Sequence, residues 1–210
     1  YYPLDEPAGS TSAGDRSGRL NASAEPVDQG AGSGALDFGS GVSPDGVGGA
    51  LAVTNTSSGN GKALVSALTQ RVTSSAFTVE AWVATPTAGS QTIMSLSERP
   101  YTVSTATVSA FLLIGPSGVA SGGFTDGAIS TIGLVSSAGS IADSAWHHLA
   151  LVKSGTATDL FLDGASVGTD TSIISSNLNA ETVGIAGAPG NANLDGLVMT
   201  DGQIAHVAVY

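Results

Sequence analysis

The chain has 210 residues, no cysteine and a formal charge of −11, with six Lys and Arg against seventeen Asp and Glu. That balance repels nucleic acid and anionic lipid and so excludes polyanion binding, while the missing cysteines exclude disulfides and thiolate metal sites. No window of about eighteen uninterrupted apolar residues is available for insertion into a membrane.

In chain order, short β-branched, aromatic and aliphatic runs predict strands at 1–4, 35–38, 50–53, 77–84, 91–97, 109–114, 119–124, 132–136, 146–152, 158–162, 165–169, 182–186 and 203–210. Turn chemistry separates them, above all the Asp-Gly pairs that begin at Asp45, Asp126, Asp163, Asp195 and Asp201. Residues 30–34, Gly-Ala-Gly-Ser-Gly, read as a flexible loop, and 129–144, rich in Ser, Gly and Ala, read as an edge strand with long loops. The run 63–68 is ambiguous. Leu64, Ala67 and Leu68 fit one face of a helix, and Leu64, Ser66 and Leu68 fit an alternating strand equally well.

So many short strands demand two packed sheets, because one open sheet of that width would twist strongly and leave a face bare. The expected fold class is therefore all-β, a two-sheet antiparallel sandwich, in a single domain over residues 1–210 with no charged or Pro-rich linker to divide it. The chain opens directly in a strand-like segment at Tyr1-Tyr2 without an initiator Met, and reads as a module of a larger protein. Charged residues are only 11% of the chain, against about a quarter in ordinary globular proteins. Its surface is thus expected to be built from Ser, Thr, Asn and Gly, which suits an extracellular protein or a virion surface such as a phage tail or capsid exterior.

The chemical inventory argues against an enzyme. A glycosidase on a sheet needs two carboxylates about 5–5.5 Å apart on one face, whereas the glutamates stand isolated at 6, 25, 80, 98 and 181. Gly164-Ala165-Ser166-Val167-Gly168 matches a nucleophile-elbow pattern, but it follows an Asp-Gly hairpin and enters a strand, where that chemistry needs a strand-to-helix turn. His147 and His148 are adjacent in a strand, so they point to opposite faces and cannot share a metal. His206 is read as a hydrogen-bonded or partly exposed histidine, and Trp82 and Trp146 as core residues rather than sugar-stacking platforms. Arg99-Pro100-Tyr101 pairs a guanidinium with an aromatic between strands, which makes Arg99 and Tyr101 the candidate ligand-binding residues.

Trp146-His147-His148-Leu149-Ala150-Leu151-Val152 followed by Leu160-Phe161-Leu162-Asp163-Gly164 resembles the signature of the laminin G-like branch of the concanavalin A-like lectin/glucanase superfamily. The opening Tyr2-Pro3-Leu4-Asp5 with Asp15-Arg16-Ser17-Gly18, the strand Phe77–Val83 and the closing run 202–210 are similar to further pieces of that pattern. The resemblance implies a jelly-roll sandwich and a non-catalytic recognition module. Its implied partners are a glycan or host surface polymer, or neighbouring subunits of a virion or multidomain protein. The alternative it leaves open is a structural decoration that contacts only neighbouring proteins. It also implies a Ca²⁺ site at a loop edge, with Asp15 as the side-chain ligand, although Ala205 stands where relatives often carry an acid.

Overall fold

A computed structural model describes residues 1–17, 23–29, 34–56, 61–98, 108–125, 132–172, 178–188 and 197–210, and every regular element among them is a β-strand. In chain order these are β1 (Glu25–Gln29), β2 (Gly34–Val42), β3 (Gly49–Asn55), β4 (Gly61–Ser74), β5 (Ala76–Ala84), β6 (Gln91–Ser97) and β7 (Val108–Ile114). They continue as β8 (Val119–Thr125), β9 (Ile132–Ser140), β10 (His147–Ser154), β11 (Ala157–Leu162), β12 (Ala165–Asp170), β13 (Leu178–Ile185) and β14 (Asp201–Val209). Sheet I has the order β1-β4-β13-β6-β7-β8-β9 and sheet II the order β12-β11-β10-β5-β14-β3-β2, each seven-stranded. All the pairings are antiparallel.

The expected all-β sandwich is what the chain forms, and three local departures have clear causes. The ambiguous run 63–68 is part of β4, whose pairing with β1 and β13 supplies the hydrogen bonds that an isolated helix would have made internally. Ala63, Leu64, Val65 and Ser66 are all buried, so burial on both faces erases the alternation that marks a half-buried strand. β1 carries Glu25, Pro26 and Asp28, which conceal it as a strand; it is an edge strand, the position where proline and charge are tolerated. Conversely, the expected strand 1–4 shrinks to one bridge, Tyr2 with Val207. Pro3 has no N–H to give, and Leu4 turns the chain at φ 64°.

Between the sheets, alternate residues meet. Phe77, Val79, Ala81 and Val83 of β5, Leu149 and Leu151 of β10, Leu160 of β11, and Ile204 and Val207 of β14 pack against Leu64, Ile93, Leu96, Leu112, Phe124, Val183 and Ile185 of sheet I. Each such large aliphatic or aromatic side chain contributes about 1.5–3 kcal/mol on full burial. The sheets approach closely at Gly122, where an added Cβ would lie 2.8 Å from Leu151 Cδ1 and 3.0 Å from Leu160 Cδ1. Lys153 shares the inward parity of β10. Its ammonium lies 5.3 Å from the centre of the Phe124 ring and donates to the Gly155 carbonyl, and burial pulls its pKa down.

The Trp146–Thr169 meander folds as the sequence requires. Asp163 and Gly164 take φ 52° and 80°, the two positive values of a type I′ hairpin. The Asp163 carboxylate also accepts from the His148 N–H at 2.8 Å.

Candidate functional face

Because odd positions of β5 and β10 fill the core, even positions must line the opposite face of sheet II. Register then places His148 beside Trp82 and Ala150 beside Glu80, while on the other side Ala205 lies beside Trp82 and Ala208 beside Glu80. Phe161 extends the row beyond Ala150. The Trp82 and His148 rings are 5.1 Å apart, tilted by 41°. His148 Nε2 is 3.4 Å from Glu80 Oε2, and Tyr210 Oη donates to Glu80 Oε1 at 3.1 Å. Partial burial and that same carboxylate raise the Tyr210 pKa. The result is a half-exposed aromatic surface edged by a carboxylate, an imidazole and a phenol.

Half of this face is roofed. Ala50, Ala205 and Ala208 have outward parity and yet are inaccessible. The cover is the tip of the β2–β3 hairpin. A β-bulge between Asp37 and Gly41 bends β2, Gly41 comes so close to Gln203 that an added Cβ would lie 2.3 Å from its Oε1, and the Val42 carbonyl accepts from Trp146 Nε1 at 3.2 Å. Trp146 immediately precedes β10, four strands away from β2 in the sheet order. The hairpin must therefore arch across the sheet to reach it.

The amino-terminal segment closes the same side. A bulge between Ala205 and Ala208 leaves His206 at φ 52°, its N–H donating to the Pro3 carbonyl. The Tyr1 ring lies nearly parallel to that of His206 with ring centres 6.1 Å apart, and its Oη is 2.6 Å from His206 Nδ1. Burial and then the nearby Asp5 raise the Tyr1 pKa, with Asp45 and Glu80 adding to the effect and Arg16 opposing it. Asp45, on the hairpin tip, is held below the ordinary carboxylate range by hydrogen bonds from Ser43 and the Val47 N–H. Where β5 leaves the sheet, a depression of about 300 Å³ is lined by Gln203, Asp201, Thr54, Ser144, Ala84 and Pro86, among others.

At the rim, His147 lies between two carboxylates. Nδ1 is 2.8 Å from Asp163 and Nε2 is 3.2 Å from Asp143. Burial, the largest single influence, disfavours its charge, but the hydrogen bonds and charges of Asp163 and Asp143 together outweigh it and raise the pKa above 6.5. A raised histidine pKa stabilises the fold fully below the unfolded value, and that contribution fades as pH climbs through the folded value. The urea midpoint is therefore expected to fall between about pH 6 and pH 8, and His147→Gln is expected to flatten that decline. An identical slope in the variant would rule out the clamp.

The structure redistributes the candidates drawn from sequence. Arg99 and Tyr101 lie outside the described residues. Asp15 is nearly inaccessible, its side chain 1% exposed, and its carboxylate accepts from the Tyr1 main-chain nitrogen at 2.9 Å, the Ser17 N–H at 2.8 Å and the Ser17 hydroxyl at 2.9 Å. It clamps the amino-terminal segment. Calcium takes six to eight oxygens, and among the described residues no group of three or more acids and histidines is arranged to hold a metal. The Ca²⁺ expectation at Asp15 thus rests on sequence alone.

Trp82 and Trp146 do not join the core, contrary to expectation, because their parity is the outward one; both are partly buried. His147 and His148 do diverge, and His206 does have a hydrogen-bonding partner. Ser166 sits in β12 opposite Phe161, past a two-residue turn. The sequence signal that was missed is the Glu80-x-Trp82 spacing, which puts both residues on one face as soon as Val79, Ala81 and Val83 are assigned to the core.

Several solved structures share this fold. Domains LG4-5 of the mouse laminin alpha1 chain superpose with a TM-score of 0.56 at 18% identity, over 70% of this chain and 38% of that one. The binding domain of Paraclostridial Mosquitocidal Protein 1 gives 0.59 at 11% identity, over 99% of this chain and 49% of that one. Domain 4 of AbnA, a GH43 extracellular arabinanase from Geobacillus stearothermophilus solved in complex with arabinotriose, gives 0.57 at 13% identity, over 93% and 85%. The chain thus spans less than half the length of the first two. No curated protein matches the sequence. The laminin G model described as the concanavalin A-like lectin/glucanases superfamily matches residues 29–210, and the chain belongs to that superfamily.

Proposed function

We propose that this chain is a non-catalytic recognition module that binds glycan on the open half of the outer face of sheet II. The observation that carries the reading is Trp82, partly exposed on the central strand β5 with Glu80, His148 and Tyr210 at its edge. An aromatic face suits the C–H face of a pyranose, and the flanking carboxylate, imidazole and phenol offer acceptors and donors to its hydroxyls. Glu80 is occupied by His148 and Tyr210 rather than set opposite a second carboxylate, which favours holding a sugar over cleaving it. The arabinotriose carried by domain 4 of AbnA on this fold supports the same reading.

The module fits within a larger extracellular protein, and a phage tail or other virion surface is the placement its low charge and Ser/Thr/Gly-rich composition favour. The test is retention of the chain on insoluble plant and bacterial cell-wall polysaccharides, together with glycan-array screening. Binding to at least one glycan class is expected. Absence of binding throughout overturns the proposal in favour of a structural module that contacts only neighbouring proteins.

A further inference from the structure

We infer, resting on the glycan-binding reading, that this face takes glycans without carboxylate or sulfate groups and turns polyanionic ones away. The open half of the face carries Glu80 and Asp159, and on the roofed side Asp45 of the hairpin tip and Asp5 lie close enough to act on Tyr1. Among the residues whose side chains are described, three are basic: Arg16 Nη2 lies on Asp5 Oδ1 at 2.7 Å, Lys153 is buried against Phe124, and Lys62 belongs to β4 in the other sheet. Of these three only Arg16 lies near the face, and a carboxylate or sulfate would have to compete with Asp5 for the charge-assisted, forked contact by which proteins recognise such groups.

At the border with the closed side, burial first and then Asp5, Asp45 and Glu80 push the Tyr1 phenol toward retention of its proton, and Arg16 opposes them. An anionic sugar docked on Trp82 would give up hydration without gaining a cationic partner, and it would meet like charge on two sides. A neutral sugar loses nothing on that account, because its hydroxyls can use the Glu80, His148 and Tyr210 groups already in place. An amine-bearing sugar gains from the field.

The experiment is calorimetric titration of the intact chain, at pH 8 and low salt, with oligosaccharide pairs differing only at C6: galactose against galacturonate oligomers and glucose against glucuronate oligomers. Glucosamine oligomers, titrated instead at about pH 6 so that their amines are protonated, form a third arm. The uronate member of any binding pair is expected to bind at least about tenfold more weakly, and the deficit should narrow in about 1 M salt. It should also narrow in the double variant Asp45→Asn, Asp159→Asn. Equal or tighter binding of a uronate overturns the charge inference while leaving the glycan reading intact. Failure of all three arms together with the array and cell-wall screens overturns both.

Discussion

Trp82→Ala is expected to lower glycan affinity by about thirtyfold, since truncating a central aromatic anchor costs about 2 kcal/mol and each 1.4 kcal/mol is tenfold. The fold should survive the change. Trp82 lies outside the buried core between the sheets but is partly buried, so the folded state loses the ring contact with His148, 5.1 Å away, worth about 0.5–1.5 kcal/mol, together with part of the about 1.5–3 kcal/mol that burial of a large side chain contributes. The separation of these two effects is what makes the variant informative. Isothermal titration would report the affinity and a thermal melt the stability; unchanged affinity with a normal melt would remove Trp82 from the site and with it the main support for the proposed face.

Gly202→Val should produce the largest loss of stability, about 4 kcal/mol or more. Gly202 sits in β14 at φ 137°, a conformation side-chain-bearing residues rarely adopt, and an added Cβ would lie 2.3 Å from the Ala84 carbonyl oxygen and 2.6 Å from Met199 Cε. The first of these atoms is main chain of β5 and cannot yield without disturbing the β5–β14 pairing on which the aromatic face is built. Domains of this kind have only about 5–15 kcal/mol in hand. Gly46→Ala serves as the control, because Gly46 also has positive φ, at 71°, but nothing lies within 4 Å of an added Cβ; its cost should stay near 1–2 kcal/mol. Urea denaturation of both variants decides the matter, and equal costs would show that β14 shifts to relieve the contact.

Much of the architecture was legible in the residues themselves. The strand-forming runs 77–84 and 203–210, similar to the family's central and closing strands, are the strands β5 and β14. The Asp163-Gly164 pair fixed a type I′ hairpin through purely local sterics. Residues 132–140 proved to be the edge strand β9 of sheet I, in keeping with their Ser, Gly and Ala content. The family resemblance carried by the Trp146–Asp163 meander also held. What local reasoning obscured was β4, where burial on both faces removes alternation, and β1, where Pro26 masks a strand that only its edge position permits.

The site was less legible than the fold, and the difference has one origin. Short strand-forming runs and turn chemistry are properties of neighbours in sequence, and they determined the fold class and the meander. Which face of a strand turns outward, and what lies over it, depends on contacts between residues far apart in the chain. Trp82 reads as core by its chemistry, and only the packing of Val79, Ala81 and Val83 against sheet I sends it the other way. The gathering of Glu80, His148 and Tyr210, and the roof formed when Val42 reaches Trp146, were decided by tertiary structure alone, because sheet order sets their proximity and no local signal encodes it.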